Sequence, residues 1–355
     1  MNLMTRPAQT KRVRNIRRIL FRLLLAFIVG FFVICWIASS RLICPSRRPL
    51  QDYHREIVAN AVEHGMVIRP FMVETGPWKG TPCLVCEPSN HPGAAAKGNL
   101  LRKQLETEGV VLKPWGRIIS SVVLLHGHTG RKEDHLPVAE RLCAVGFRCI
   151  LPDLPGHGDH PSPYASFGFR ESTLPSAALE ATALAMKFDS QPACLMGISQ
   201  GGAIALQAAA ADQTKWAAVA ELSSFADLEG VIANQARRIF GPLHAPARFL
   251  VGHLLQWRAG YDPVFVRPVD AAAKLDSIPV FIGHGDIDTF VPPDHAKRLL
   301  EATHTGTKQF LSIHGAGHHD VLVTPQPVYA TISKFLVDAV RKSERTKQVS
   351  PTDPQ

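Results

Sequence analysis

The chain is poor in cysteine, with seven among 355 residues, at positions 35, 44, 83, 86, 143, 149 and 194. That density excludes a disulfide-built scaffold. Cys83 and Cys86 make a C-x-x-C, but no second such pair completes a zinc site, and on a strand over 81–87 they point to opposite faces. Plain packing accounts for most of the seven, and a Cys143–Cys149 bridge would need an oxidising compartment. No internal repeat is visible. A spread-out excess of positive charge is also missing. The formal net charge is +9, yet residues 1–22 alone hold Arg6, Lys11, Arg12, Arg14, Arg17, Arg18 and Arg22 and no acid. The remaining 32 basic and 30 acidic residues nearly cancel, so the body carries no nucleic-acid footprint. Hydrophobic residues make up 46 % and charged residues 19 %, which excludes disorder and fits a globular α/β body.

The basic segment leads into an uncharged apolar run over 23–38 with Phe27, Phe31, Phe32 and Trp36. Counted from Ile19, with Arg22 snorkelling, it is long enough to cross a bilayer. Two readings fit: an uncleaved signal anchor, or a signal peptide cleaved near Ala38-Ser39-Ser40. The length and the bulky aromatics favour the anchor. A buried core helix does not explain seven preceding basic residues against three (Arg41, Arg47 and Arg48) just after. The positive-inside rule puts the N-terminus in the cytoplasm and the body on the outer, extracytoplasmic side. Cys44 is not expected to carry a lipid, because the residue before it is not small.

The expected organisation is a basic tail over 1–22, a span over 23–38, a connector over 39–70 with a helix near 53–63, and one domain over 71–340. Within the domain, short apolar runs at 120–125, 147–151, 193–196, 219–222, 280–282 and 309–313 read as strands. Helical stretches at 136–145, 174–188, 201–212, 295–303 and 327–340 lie between them. This alternation predicts a mostly parallel sheet with helices on both faces, which binds ligands at its carboxyl edge. Residues 88–116 read as a surface insertion, and 225–275, semi-helical and aromatic, as either a lid or a pair of packing helices. Residues 341–355 read as a frayed tail.

The chemistry centres on Gly197-Ile198-Ser199-Gln200-Gly201, a G-x-S-x-G set between an apolar strand and an alanine-rich helix. That context is what makes the motif meaningful. The serine must sit on a sharp turn, where the flanking Gly197 and Gly201 come too close to carry side chains. A serine hydroxyl needs a base beside it, and the base needs a carboxylate to orient it. Both kinds of residue occur downstream in that order. Asp286 and Asp288 come after the strand at 280–282, and His314, His318 and His319 after the strand at 309–313.

With these motifs in hand, the chain resembles the α/β-hydrolase family over about residues 71–340. The elbow matches at 197–201, the H-G-x-x-D-x-x-V-P acid motif at 284–292, and the G-x-G-H base motif at 315–318. The oxyanion motif matches His126-Gly127-His128-Thr129-Gly130, and the D-x-x-G-x-G segment matches 153–158. The resemblance implies Ser199 as nucleophile, Asp288 as acid and His318 as base, with Asp286, His314 and His319 as rivals. It implies an oxyanion hole from the N–H groups of Gln200 and His128, with His126 and Gly127 supporting the loop. It implies an α/β-hydrolase fold, compatible with a small lid, and a serine hydrolase that forms an acyl-enzyme. The expected substrate is a carboxylic ester, small or lipid-like. A serine peptidase of the same fold is the alternative, and a non-catalytic binding protein is a second, although no triad position is degraded. No cofactor is expected, and the histidines match no zinc spacing.

Overall fold

Strands rich in Val, Leu, Ile and Ala with no polar alternation belong at the centre of a sheet covered on both faces. The computed structural model, which describes residues 6–94 and 96–349, builds such a sheet. Its strands are β1 (Met66–Met72), β2 (Pro82–Pro88), β3 (Ser120–Leu125), β4 (Phe147–Pro152), β5 (Ala193–Ile198), β6 (Trp216–Leu222), β7 (Val280–Gly285) and β8 (Lys308–Ile313). They lie in the order β1-β2-β4-β3-β5-β6-β7-β8. The pairs β1–β2 and β2–β4 are antiparallel, and every other pair is parallel.

The helices are α1 (Arg6–Ile43), α2 (Asp52–Ala59), α3 (Ala96–Thr107), α4 (Leu136–Ala144), α5 (Leu174–Met186) and α6 (Gln200–Ala211). They continue with α7 (Leu228–Phe240), α8 (His244–Ala259), α9 (Pro268–Ala272), α10 (Asp294–Ala302) and α11 (Val328–Val349). The two-residue period of a strand sorts its side chains into two cores. Val122, Leu124, Cys194, Met196 and Phe281 pack on one face against α3, α4 and α11. Val123, Leu125, Leu195, Val280 and Ile282 pack on the other against α5, α6, α9 and α10. Cys83 and Cys86 fall in different cores, as opposite-face positions should. Cys143 and Cys149 are buried and unbridged.

Three expectations change, and one that had two readings is decided. Strand β1 starts at Met66, inside the segment read as connector. It is an edge strand, paired on one side only and largely uncovered, so its sequence has neither a buried run nor a clean alternation. The insertion read over 88–116 contains α3, whose Leu101 and Leu105 are buried in the first core. The tail read as frayed is helical as far as Val349, because nothing between Arg341 and Val349 stops a helix; residues 350–355 lie outside the described residues. Lastly, none of the residues lining the cleft above Ser199 comes from 225–275. Instead α7 and α8 pack on the C-terminal third of α1, with Cys35 and Ile43 buried among Val231, Ala247, Val251 and Leu255.

Candidate active site

Ser199 stands between β5 and α6 with φ +54° and ψ −117°, a conformation costing about 1–3 kcal/mol for a residue with a side chain. The turn is tight enough to require both glycines. A Cβ on Gly197 would lie 2.2 Å from the Gly201 carbonyl carbon, and one on Gly201 would lie 2.0 Å from the Leu125 carbonyl oxygen. The second contact matters most, because Leu125 ends β3 and leads into the 126–130 loop.

Parallel strands deliver the other groups to the same carboxyl edge. The loop after β8 carries His318, and the loop after β7 carries Asp288. His318 Nε2 lies 3.0 Å from Ser199 Oγ, and its Nδ1 lies 2.6 Å from Asp288 Oδ2. The other Asp288 oxygen accepts the N–H groups of Phe290 and Val291, each at 2.8 Å. Burial pushes the Asp288 carboxyl up, but the hydrogen bonds and charge of His318 and the Val291 N–H outweigh it, so the group lies below the ordinary value. An ionised Asp288 accepts from Nδ1–H, which leaves the lone pair on Nε2 facing the serine.

The rivals sort themselves by geometry. Asp286 accepts from His314 Nδ1 and from the Gly315 N–H, both at 2.7 Å, so the two form a separate exposed pair. His319 packs edge-on against His318 with ring centroids 5.2 Å apart and lines the cleft without reaching Ser199 Oγ.

The 126–130 loop packs directly on the elbow: a Cβ on Gly127 would touch Ile198 O at 3.4 Å and Ser199 Cβ at 3.5 Å. His126 holds this loop. Its Nε2 accepts the Leu154 N–H at 3.1 Å, so the proton sits on Nδ1, which donates to the Gly127 carbonyl at 2.9 Å. Burial holds its pKa down at about 3, so it stays neutral. His128 lies between two acceptors as placed, Gln200 Oε1 at 2.9 Å and the Arg41 carbonyl at 3.0 Å. Burial disfavours the doubly protonated ring. With the Gln200 amide turned over, its otherwise unpartnered Nε2 donates to His128 Nδ1, and Nε2–H of the ring donates to Arg41.

Sequence reading missed the strap that holds this loop from outside. Arg48 Nε donates to the carbonyl of Thr129, a residue at φ +60°, at 2.9 Å, and Arg48 also pairs with Asp134 at 2.5 Å. Arg131 returns a bond to the Arg48 carbonyl at 3.0 Å. Below the loop, buried Asp153 accepts from the Lys132 N–H and Nζ, each at 2.8 Å, and from the Asp159 N–H at 2.8 Å. The charge run at 131–134 was the available signal, but nothing in it says what it ties down. The cleft above Ser199 holds about 600 Å³ and is walled by Pro137, Val138, Phe290, Val321, Leu322 and Tyr329, with Arg48 and Asp134 at one side. Among the described residues, no group of three or more His, Cys, Asp or Glu side chains could hold a metal ion.

The comparisons agree with this architecture. The model of the alpha/beta hydrolase family matches residues 122–331, more than half of the chain. A thermostable monoacylglycerol lipase of Bacillus sp. (strain H-257) is 24 % identical over 218 residues, covering 58 % of this chain and 86 % of that one. An esterase of Pyrococcus furiosus superposes with a TM-score of 0.60 at 16 % identity, over 84 % of this chain and 98 % of its own. A puromycin-hydrolysing peptidase of Mycobacterium tuberculosis gives 0.53 at 19 % identity, over 79 % of this chain and 39 % of its own. With the family's sheet order, its elbow and a family match running from β3 into α11, this chain belongs to the α/β-hydrolase family.

Proposed function

We propose that the protein is a serine hydrolase that cleaves carboxylic esters of lipophilic acyl groups through an acyl-enzyme. The hydrogen-bonded relay from Ser199 through His318 to Asp288, at 3.0 and 2.6 Å, carries this reading. His318 Nε2 takes the Ser199 proton as Oγ attacks the acyl carbonyl, and Asp288 stabilises the imidazolium that forms. The backbone N–H of Gln200, at the start of α6, and that of His128 bind the developing oxyanion. His318 then protonates the leaving alcohol, and water, deprotonated by the same histidine, hydrolyses the acyl-enzyme.

The apolar wall of the cleft and the lipase relative support an acyl chain as the group bound. In the same reading α1 is a transmembrane anchor: within Val13–Ile43 the most apolar 18 residues have a mean hydropathy of 2.6, and only 6 % of them are buried. The basic residues preceding the span support an N-terminus in the cytoplasm and a body outside it.

The test is labelling of the full chain by a fluorophosphonate probe, with turnover of an ester series and of aminoacyl amides. Labelling and ester turnover, both abolished by Ser199→Ala, are expected. Amide turnover exceeding ester turnover would favour the peptidase alternative, and no labelling at all would favour a binding protein.

A further inference from the structure

We propose that the α7–α8 hairpin is a membrane-interface element, lying at the headgroup–acyl boundary of the bilayer that α1 crosses. The proposal rests on the transmembrane reading of α1. Its first support is a length argument. Between Arg22 and Arg41 lie 18 residues without charge. At 1.5 Å per residue they span about 27 Å, close to the ~30 Å hydrocarbon thickness, so this stretch is what must fill it. Lys11, Arg12, Arg14, Arg17 and Arg18 forbid sliding the span toward the N-terminus.

Yet the hairpin grips that stretch from its midpoint onward. Phe240 meets Phe31 with ring centroids 5.8 Å apart, and Trp257 meets Trp36 at 5.9 Å. Arg258 Nη1 donates to Ser39 Oγ at 3.0 Å and Ser40 Oγ at 2.7 Å, and its guanidinium lies 4.2 Å from the Trp36 ring centroid. Phe31 is ten residues, about 15 Å, before Arg41, so a hairpin touching it cannot stand wholly in water while α1 fills the hydrocarbon.

The hairpin is also built for that position. Its free faces expose Ile239 (64 %), Leu243 (38 %), Phe249 (67 %) and Trp257 (74 %). No acid occurs between Glu229 and Asp262, while Arg237, Arg238, Arg248 and Arg258 do. Glu229 at the start of α7 pairs with Arg248 at 3.7 Å, so the hairpin's complement is net basic, and apolar side chains with a net basic complement are what an interfacial helix presents to acyl chains and phosphate headgroups. The same cluster includes Ala203, one turn beyond Ser199, so the reactive edge of the sheet is held beside the lipid in which a lipophilic ester dissolves.

The test uses the full chain in vesicles of phosphatidylcholine and phosphatidylglycerol. Cys44, the one exposed cysteine among the described residues, is replaced by serine. A polarity-sensitive fluorophore is then placed at Ile28→Cys on α1, Phe249→Cys on α8, or Leu184→Cys on α5. Quenching of the first two by spin-labelled lipid, with blue-shifted emission, and of the third by aqueous iodide, is expected. Lipid quenching at position 28 with iodide quenching at 249 would overturn the proposal and leave the anchor standing. Iodide quenching at 28 would overturn the anchor and the proposal together.

Discussion

Replacing Asp288 by asparagine isolates what the proposed acid does. Asp288 Oδ1 takes two backbone N–H bonds at 2.8 Å, and Oδ2 takes the Nδ1 proton of His318 at 2.6 Å. An asparagine oxygen keeps the first two bonds, which turns its NH₂ toward His318. The histidine must then accept at Nδ1 and carry its proton on Nε2, facing Ser199 Oγ 3.0 Å away. A protonated Nε2 cannot act as a base. The same tautomer inversion in a serine protease lowers kcat about 10⁴-fold, or ~5.5 kcal/mol of barrier, and a similar loss is expected here. Asp286→Asn, which touches only His314 and Gly315, should stay within a few-fold of the parent. Turnover of a short aryl ester measures both, with thermal unfolding to show that each chain folds. Retention of a tenth of the activity by Asp288→Asn, or an equal loss in Asp286→Asn, would refute the relay.

The packing yields three further expected outcomes. Gly201→Ala sets a Cβ 2.0 Å from the Leu125 carbonyl and should abolish probe labelling of Ser199, whereas Gly306→Ala, with open space around it, should label normally. Arg48→Ala releases the Thr129 carbonyl and should lower kcat about tenfold (~1.4 kcal/mol) at nearly unchanged KM for a small ester; a change confined to KM would make Arg48 a substrate contact instead. Glu221 is fully buried on β6, and desolvation raises its carboxyl to about 8, opposed only by the Ser224 N–H. A raised carboxyl favours the folded state when protonated, so stability is present below the unfolded value near 4.5 and lost progressively up to about pH 8. Glu221→Gln should therefore stabilise the chain by about 3 kcal/mol at pH 7 and by almost nothing below pH 4.5. Denaturant titrations at the two pH values would show it, and an equal gain at both would sink the assignment.

The hairpin at 225–275 shows where pattern stops being enough. Its aromatic content fits a cover over a site as well as it fits a pair of packing helices. Contacts decide: Phe240 and Trp257 meet α1, and the cleft is walled by segments around 137, 290 and 322 instead. Strand β1 is a similar case, since an edge strand takes its structure from one neighbour and its sequence carries little periodicity.

By itself the sequence determined the central strands, the elbow with its two glycines, and the chain order of the candidate serine, carboxylates and histidines. These depend on local requirements: burial on both faces, a turn without Cβ atoms, and a loop after each strand. Only the tertiary structure decided between neighbours of equal chemistry. His318 rather than His314 lies beside Ser199, and Asp288 rather than Asp286 lies beside His318, because the β7 and β8 loops bring one pair inward and leave the other as an exposed hydrogen-bonded pair. The strap from Arg41 and Arg48 to the 126–130 loop joins residues more than eighty positions apart, and no sequence period records such a contact.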